Sequence, residues 1–363
     1  MRNAHLEHLQ ASEQFWARCE PWLKEKGYGL RPRYRPGWVA SWKDSDLEPS
    51  GCEDGQAIEH GGFLDGEKLS DGSIVFFKKL PALDIEVEMN RLLATLNTED
   101  PRNHCALPYE ILEVPNDIEA EATALLVLPF MTRWHDPEFS TAGEVLDFFQ
   151  QLCEGLDFLH ENGIVHNDIK FNNVMMDSRN LCDLPIHPVR QIMARDWSRE
   201  VQPRTRTDRP VKYYFIDFGL AQQYSSGKPR EREPGYGGDT TVPEFKRKES
   251  CDPFAVDVYR LGNLIKECLL TGTLSAVLFP KRKGLEFLNE VITEMTQPDP
   301  AKRPTIREVI SRLGDIRKGL SWRELRAPIP ADEDHMGVKR RSTHWRKQLA
   351  NTLKGKSALP MDG

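Results

Sequence analysis

One short stretch of this sequence combines an imidazole, a carboxylate, an ammonium and an amide. His166, Asp168, Lys170 and Asn173 lie within eight residues, directly after a long helical pattern. Phosphoryl transfer needs a carboxylate to orient the attacking hydroxyl, a cation on the transferred phosphate and oxygen ligands for Mg²⁺. The stretch therefore fits this chemistry, with Asp168 and Lys170 as candidate catalytic residues and Asn173 as a candidate metal ligand.

A second carboxylate follows an apolar, strand-like run further along the chain. Asp217 comes directly after Tyr213-Tyr-Phe-Ile216 and begins the triplet Asp-Phe-Gly. A carboxylate presented at the end of a strand can chelate a metal that bridges phosphates. Asp217 is therefore the second candidate metal ligand.

These motifs resemble the eukaryotic protein-kinase superfamily, whose signature is H-R-D-x-x-x-x-N followed by D-F-G and A-P-E. Val242-Pro-Glu244 stands where A-P-E would. The resemblance implies ATP and Mg²⁺ as cofactors and a protein as substrate, and Lys170 resembles the serine/threonine pattern. Asn167 replaces the signature arginine, which in many kinases pairs with an activation-loop phosphate, so we expect no requirement for that phosphate.

Two later motifs extend the same resemblance to the scaffold. Asp257 resembles the helical aspartate that anchors the catalytic loop through backbone N–H groups, and Arg303 resembles the arginine that pairs with Glu244. If that pair is buried, removing one partner would leave a lone charge, at a cost of about 3–5 kcal/mol.

The candidate nucleotide-binding residues begin at Lys78, which follows the apolar run Ile74-Val-Phe-Phe77 where a V-A-I-K lysine would stand. Its expected partner is a helical glutamate that holds the ammonium against the α- and β-phosphates. Glu86 fits best, because apolar residues follow it at i+3 and i+7 on one helix face. Glu88 competes with Glu86, and Lys79 competes with Lys78.

The segment Leu126-Val-Leu-Pro-Phe-Met131 resembles the strand and hinge that bind adenine. Leu128 would be the gatekeeper, and the Pro129 carbonyl and the Met131 N–H would face the base. Proline is tolerable at this position because only its carbonyl would be used.

A G-x-G-x-x-G loop, whose N–H groups would cover the phosphates, is not found before Lys78, since the glycines there have other spacings. This departure favours an alternative, a pseudokinase that acts as a binding or scaffolding module. A small-molecule phosphotransferase of the aminoglycoside or choline type shares the H-x-D-x-x-x-x-N loop. The Asp-Phe-Gly triplet and the Glu244–Arg303 pair argue against that second alternative.

A narrower resemblance, covering most of 12–315, is to a fungal family of divergent protein-kinase-domain proteins. It implies an irregular phosphate loop and a long insertion, and it implies nothing about the substrate. The segments that carry it are Arg31–Trp38, Asp100–Cys105, Arg209–Ala221, Gly237–Glu244 and Leu261–Leu264.

The elements that must position these residues change in type along the chain. Residues 1–30 have helical spacing with an interruption at Pro21, and strand-length apolar runs at 73–78 and 124–128 flank a helical stretch at 84–93. The second half is dominated by helical patterns. These lie at 141–162, after a capping box that pairs Thr141 with Glu144, and at about 255–270, 284–296 and 304–318.

This order predicts an α+β, bilobal protein-kinase-like fold with a small β-rich N-lobe and a larger α-helical C-lobe. The predicted divisions are an N-terminal extension packing on the small lobe at 1–60, the N-lobe at 61–131, the C-lobe at 132–320 with an insertion at 178–212, and a basic tail at 321–363.

The arginine-rich insertion is interspersed with acids, which predicts a solvated loop, with docking of an acidic partner as the alternative. The tail predicts a solvated, partly disordered segment. Its alternative is a basic amphipathic helix carrying Trp345, Leu349 and Leu353 at i, i+4 and i+8, which would contact an acidic partner or surface.

Composition limits the class of protein. The chain has 363 residues, 39% of them apolar, and a formal charge of −7, which gives no support to a nucleic-acid binder. No apolar run approaches the roughly 20 residues of a membrane span. Seven cysteines without a C-x-x-C pair favour a reducing compartment. We therefore expect a cytoplasmic protein, with Lys339-Arg-Arg341 as a possible nuclear signal.

Overall fold

The structure is a computed structural model that describes residues 4–57, 60–225, 227, 230–334 and 336–360. The chain divides into two compact units. The N-terminal unit comprises Met1–Ala94, Ala106–Phe130 and Cys182–Gln202, and the C-terminal unit comprises Thr95–Cys105, Met131–Leu181 and Pro203–Gly363. None of the described helices is long and apolar enough to cross a membrane.

The N-terminal unit contains a five-stranded antiparallel sheet with the strand order β1-β2-β3-β5-β4. The predicted strands and the helix between them are confirmed. The elements of this unit are α1 (Ala11–Glu25), β1 (Tyr28–Gly29), β2 (Phe63–Lys68), β3 (Ile74–Pro81), α2 (Ile85–Leu93), β4 (Glu110–Glu113) and β5 (Thr123–Pro129).

Helix α1 belongs to the same apolar core as the sheet. Trp16, Cys19 and Leu23 are buried with Phe77 of β3, and the rings of Trp16 and Phe77 lie 6.2 Å apart. The expected interruption at Pro21 is wrong, since the helix runs through that residue. Buried side chains on both sides of the proline hold the helix in place, and this packing offsets the backbone hydrogen bond that proline cannot donate.

Strand β1 lies within the part of the chain predicted as an N-terminal extension. It pairs with β2, with Tyr28 opposite Lys68 and Gly29 opposite Glu67. The connecting segment, residues 30–62, contains three short 3₁₀ turns at Pro32–Tyr34, Pro49–Gly51 and Glu53–Gly55. Part of the predicted extension is thus a strand of the sheet and the long link to its neighbour.

Residues 182–202 of the insertion belong to the N-terminal unit and contact the connecting segment. His187 lies 3.2 Å from Glu53, and Trp197 Nε1 donates to the Gly51 carbonyl (2.9 Å). Arg195 also reaches the fully buried Asp65 of β2 (3.0 Å). Most residues of 182–202 are exposed or half-buried, as expected of a solvated loop, but several of their polar side chains also anchor the loop to the unit.

The C-terminal unit is mainly helical, with short strands in a three-stranded sheet (β6-β8-β9) and a two-stranded sheet (β10-β7). Helix α5 continues into a π-helical turn at Lys266–Leu270. The elements are β6 (Thr132–Arg133), α3 (Ala142–Glu161), β7 (Ile164–Val165), β8 (Val174–Met176), β9 (Tyr213–Phe215), β10 (Gln222–Gln223), α4 (Pro243–Arg247), α5 (Pro253–Ile265), α6 (Asn289–Met295), α7 (Ile306–Gly319), α8 (Trp322–Leu325) and α9 (Val338–Leu353).

The predicted helices of this unit are present, with two local differences. Thr141 caps α3 by accepting the Glu144 N–H, but the Glu144 carboxylate bonds to Ser140 and Thr207 instead of closing a capping box. Helix α6 is shorter than the predicted 284–296, with a single 3₁₀ turn before it.

The basic tail forms helix α9 and is held by polar contacts. Lys347 and Lys356 lie 2.9 and 2.7 Å from Asp208, and the buried Gln348 accepts from Arg326 (3.0 Å). The prediction of a partly disordered tail is therefore wrong for the described residues of α9, which form a helix, although most of them are exposed as expected of a solvated segment. Its apolar positions Leu349 and Leu353 are exposed. His335 and 361–363 lie outside the described residues.

Candidate active site

The loop that contains Asp168 lies between β7 and β8 and is anchored by a side chain of helix α5. The buried carboxylate of Asp257 accepts the backbone N–H groups of His166 (2.7 Å) and Asn167 (2.9 Å). Burial raises the pKa of Asp257, but the hydrogen bond with His160 and the hydrogen bond from the His166 backbone N–H outweigh it, and the pKa lies below its ordinary value. Asp257 is thus a charged carboxylate that anchors the loop, as the resemblance implied.

His166 connects the loop to the strand that leads to Asp217. Its Nδ1 accepts the Asp168 N–H (3.2 Å), and its Nε2 lies 3.1 Å from the Ile216 carbonyl, to which it can donate. Burial lowers the pKa of His166, which favours the neutral imidazole required by these two bonds. The histidine is a structural link between the two motifs.

The Asp168 carboxylate gathers the other candidate residues of the loop. Its Oδ2 lies 2.7 Å from Lys170 Nζ and accepts from Asn173 Nδ2 (2.8 Å). Its Oδ1 accepts the Gly238 N–H (2.6 Å). Three donors around one carboxylate fix its orientation. The structure therefore brings Asp168, Lys170 and Asn173 together.

Asn173 and Asp217 lie at the same end of the β8–β9 pair. Val174 pairs with Phe215, and the Ile216 N–H donates to the Asn173 carbonyl (3.0 Å). Asp217 follows in the left-handed region (φ 66°). Because Asn173 Nδ2 donates to Asp168, its Oδ1 is the atom that can bind metal. An amide oxygen and a carboxylate would suit Mg²⁺, which prefers oxygen ligands.

Among the described residues, no group of three or more His, Cys, Asp or Glu side chains is placed to hold a metal. An amide and a carboxylate from two chain segments are therefore a partial donor set.

In the N-terminal unit, the structure places Lys78 with Glu86. Lys78 Nζ lies 2.6 and 2.5 Å from the two Glu86 carboxylate oxygens. Glu86 stands in the first turn of α2, after the N-cap Asp84. The competitor Glu88 is exposed. Lys78 and Lys79 are adjacent on β3, and their side chains point to opposite faces of the sheet because successive side chains of a strand alternate.

The other lysine, Lys79, is used elsewhere in the same unit. Its Nζ lies 2.9 Å from Glu119 and 3.8 Å from the centre of the Phe15 ring. Lys79 therefore helps to hold helix α1 on the sheet, and the pair that matches the expected phosphate clamp is Lys78 with Glu86.

The expected hinge residues end the last strand of the sheet. Leu128 pairs with Phe76 and Pro129 with Val75 on β3. The neighbouring strand β4 extends only as far as the partner of Val127, so the missing proline N–H breaks no ladder on that side. Met131 follows between β5 and β6, at the first residue of the C-terminal unit after Phe130.

The expected scaffold pair is buried in the C-terminal unit. Both guanidinium Nη atoms of Arg303 donate to Glu244, each at 2.7 Å. The same arginine also donates to the carbonyls of Gln297 (2.8 Å) and Ala255 (3.0 Å). It therefore ties α4, the start of α5 and the turn before α7 together.

Two residues beside Asp168 were missed by sequence reasoning. Gly238 donates its N–H to the carboxylate, and Arg260 of α5 is fully buried against the Asn167 carbonyl. The available signals were the Gly237-Gly238 pair and an arginine inside an otherwise apolar helix.

Comparison with known proteins agrees with this geometry. The family model described as the protein kinase domain matches residues 103–286, just over half of the chain. The chain belongs to the protein kinase family. The matched residues include the whole Asp168 loop and Asp217, whereas Lys78 and Glu86 precede them. With this match, the predicted α+β kinase fold is confirmed.

Several curated kinases are similar at low identity. SNF1-related protein kinase catalytic subunit alpha KIN12 of Arabidopsis thaliana is 25% identical over 296 residues, 70% of this chain and 49% of that protein. Serine/threonine-protein kinase CAK1 of Saccharomyces cerevisiae is 30% identical over 129 residues, 34% of this chain and 28% of that protein.

The Wee1-like protein kinase of Oryza sativa is 27% identical over 183 residues, 46% of this chain and 28% of that protein. The kinase chain described here thus spans about half or less of the length of these relatives. The narrower fungal resemblance stays a prediction.

Proposed function

We propose that this protein kinase uses ATP and Mg²⁺ to phosphorylate serine and threonine hydroxyls of protein substrates. The observation that carries the proposal is the Asp168 carboxylate, which is fixed by Lys170, Asn173 and the Gly238 N–H. A fixed carboxylate beside an ammonium is the arrangement that an attacking hydroxyl and a transferred phosphate require.

In this proposal, Asp168 orients the substrate hydroxyl and takes its proton as the new O–P bond forms and the bond to ADP breaks. Lys170, paired with Asp168 through Oδ2, steadies the γ-phosphate during the transfer. Lys78, oriented by Glu86, positions the α- and β-phosphates. Asn173 and Asp217 would hold Mg²⁺, which neutralises phosphate charge when bound.

Two observations support serine and threonine as the acceptors. Lys170 stands two residues after the aspartate, as in the serine/threonine pattern, and one relative is named a serine/threonine-protein kinase. The pseudokinase alternative rests on a different observation. Residues 30–62 connect β1 and β2 where a short glycine-rich loop would cover the phosphates.

The test is phosphate transfer from Mg-ATP to a mixed protein substrate, read by mass spectrometry. We expect phosphoserine and phosphothreonine from the wild type, and a fall on the order of 10³-fold in Asp168→Asn. Asp177→Asn is the matched control, because Asp177 lies nearby on the same chain segment and pairs only with Arg179 among the contacts described here. It should stay within about twofold of the wild type.

Each other outcome favours an alternative. If neither protein transfers phosphate, and Mg-ATP does not raise the melting temperature, the pseudokinase module replaces the kinase proposal. If amino alcohols are phosphorylated and proteins are not, the chain is a small-molecule phosphotransferase.

A further inference from the structure

The position of the missing signature arginine is filled by a different kind of contact. Asn167 is fully buried, lies in the left-handed region (φ 63°) and donates its Nδ2 to the Leu220 carbonyl (3.0 Å). Its neutral amide cannot pair with a phosphate as an arginine would. Its own backbone carbonyl instead accepts from the guanidinium of Arg260.

Arg260 lies on α5, three residues after Asp257, and therefore on the same face of the helix. It is fully buried. Besides Asn167, its guanidinium donates to the carbonyls of Tyr236 and Asp239, the latter at 3.2 Å. One helical side chain thus binds the loop that contains Asp168 and the segment that follows the D-F-G motif.

The backbone beside this guanidinium is shaped to it. Gly237 has φ 78°, and a Cβ there would lie 2.6 Å from the Asn167 carbonyl oxygen and 2.7 Å from Arg260 Nη2. The next residue, Gly238, donates its N–H to Asp168 Oδ1 (2.6 Å). The close approach of Arg260 and the hydrogen bond to the candidate catalytic carboxylate therefore occupy adjacent residues.

Two neighbours on α5 hold the same segment. Asn263 Nδ2 donates to Asp239 Oδ2 (2.9 Å) and to Thr241 Oγ1 (3.1 Å), and the Tyr259 hydroxyl lies 3.2 Å from the Thr241 carbonyl. Residues 236–241, which we call the pinned segment, are thus fixed by the Arg260 guanidinium and by two uncharged side chains of the same helix.

We propose that Arg260 is a positioning residue that locks the pinned segment against the Asp168 loop. The expected effect on kinetics rests on the proposed kinase function. The expected effect on the order of the pinned segment does not depend on any activity.

The experiment compares the wild type with Arg260→Met, Arg260→Lys and the control Arg232→Met. Arg232 is a matched control, because it also lies over the Tyr236 ring (4.1 Å) and donates to a carbonyl, that of Leu220 (3.0 Å), but is only half-buried. Hydrogen exchange of the pinned segment and steady-state kinetics with ATP and protein substrate are measured on phosphatase-treated proteins.

Arg260→Met should exchange the pinned segment at least about tenfold faster, and should lower kcat/KM for protein substrate by about 100-fold while the KM for ATP changes less than about threefold. Arg260→Lys should give exchange rates and kcat/KM values between those of the wild type and Arg260→Met, since an ammonium lacks the planar fork of a guanidinium. Arg232→Met should match the wild type.

Equal exchange in Arg260→Met and Arg232→Met would overturn the lock. A kcat/KM of Arg260→Met within about threefold of the wild type would overturn its role in the transfer. If Arg260→Met does not fold, the same two comparisons are made with Arg260→Lys. If the wild type transfers no phosphate at all, the kinase proposal fails, and the exchange measurement alone decides on Arg260.

Discussion

The Asp168 loop and the segment connecting β1 to β2 both bind charged groups away from water, but they find their partners at very different distances along the chain. Asp168 is bound by Lys170 and Asn173, two and five residues away. In the connecting segment, Arg33 pairs with Glu13 through bonds of 2.6 and 2.9 Å, across 20 residues.

A second arginine of the connecting segment extends this contrast. Arg31 lies 2.9 Å from Asp65, across 34 residues, and Asp65 also accepts from Arg195, across 130 residues. A local cluster can be recognised as a motif, whereas these ion pairs exist only after the unit has folded. The region that departs from the kinase signature is therefore stabilised by long-range pairs, one of them supplied by the insertion.

The largest effect should come from removing a buried guanidinium in either unit. Arg33→Met and Arg303→Met each leave a buried glutamate without its partner and should lower the free energy of unfolding by about 3–5 kcal/mol. Urea unfolding measures the loss. The control Arg190→Met, at an exposed position of the insertion, should change the free energy of unfolding by less than about 0.5 kcal/mol. If Arg33→Met resembles this control, the connecting segment does not stabilise its unit.

Next in size is the separation of the two adjacent lysines. Lys78→Met should lower kcat/KM for ATP by about 100-fold, because it removes the cation held by Glu86. Lys79→Met removes a cation that pairs with Glu119 and should stay within about threefold. Steady-state kinetics with varied ATP measure both, and equal losses would contradict the assignment of Lys78.

Acidification should distinguish the two units. Burial lowers the pKa of His104, in the C-terminal unit, to about 4. Between pH 6.5 and pH 4, this residue is therefore more protonated in the unfolded state than in the folded state. Stability is therefore complete above pH 6.5 and falls as the pH drops, by about 2 kcal/mol at pH 5.

The buried pair of the connecting segment should respond later. Burial raises the pKa of Glu13, but the bonds from Arg33 outweigh it and hold the pKa below its ordinary value. Its contribution is therefore retained until the pH falls below about 4.5. Hydrogen exchange at pH 7 and pH 5, for the wild type and His104→Asn, measures each unit. A loss of stability at pH 5 that His104→Asn retains in full would contradict the assignment to His104.

The smallest effect concerns the insertion. Arg195→Met removes one of the two arginines on Asp65, while Arg31 remains. We expect a loss of about 1.5 kcal/mol, the size of one hydrogen bond to a charged group. Proteolysis of residues 182–202 should then be faster than in Arg190→Met. Identical proteolysis would show that the insertion is held without this contact.

Much of the C-terminal unit could be predicted because its signals are short. Each signal spans only a few residues or a few helical turns. These signals are the order of Asp168, Lys170 and Asn173, the triplet that begins at Asp217, and the apolar periodicity within helices α3 and α7. Glu244 and Arg303 were predicted across 59 residues only through the resemblance to a family. The sheet strands β3 and β5 were predicted from their length and apolar composition.

The sequence by itself determined which residues could perform phosphoryl transfer and which segments form helices and strands, because hydrogen bonding and hydrophobic periodicity act over a few residues. Only the tertiary structure decided that β1 joins the sheet, that 182–202 packs on the connecting segment, and that Arg260 binds the pinned segment. These contacts depend on which distant segments meet, since a buried charge is stable only where folding supplies its partner.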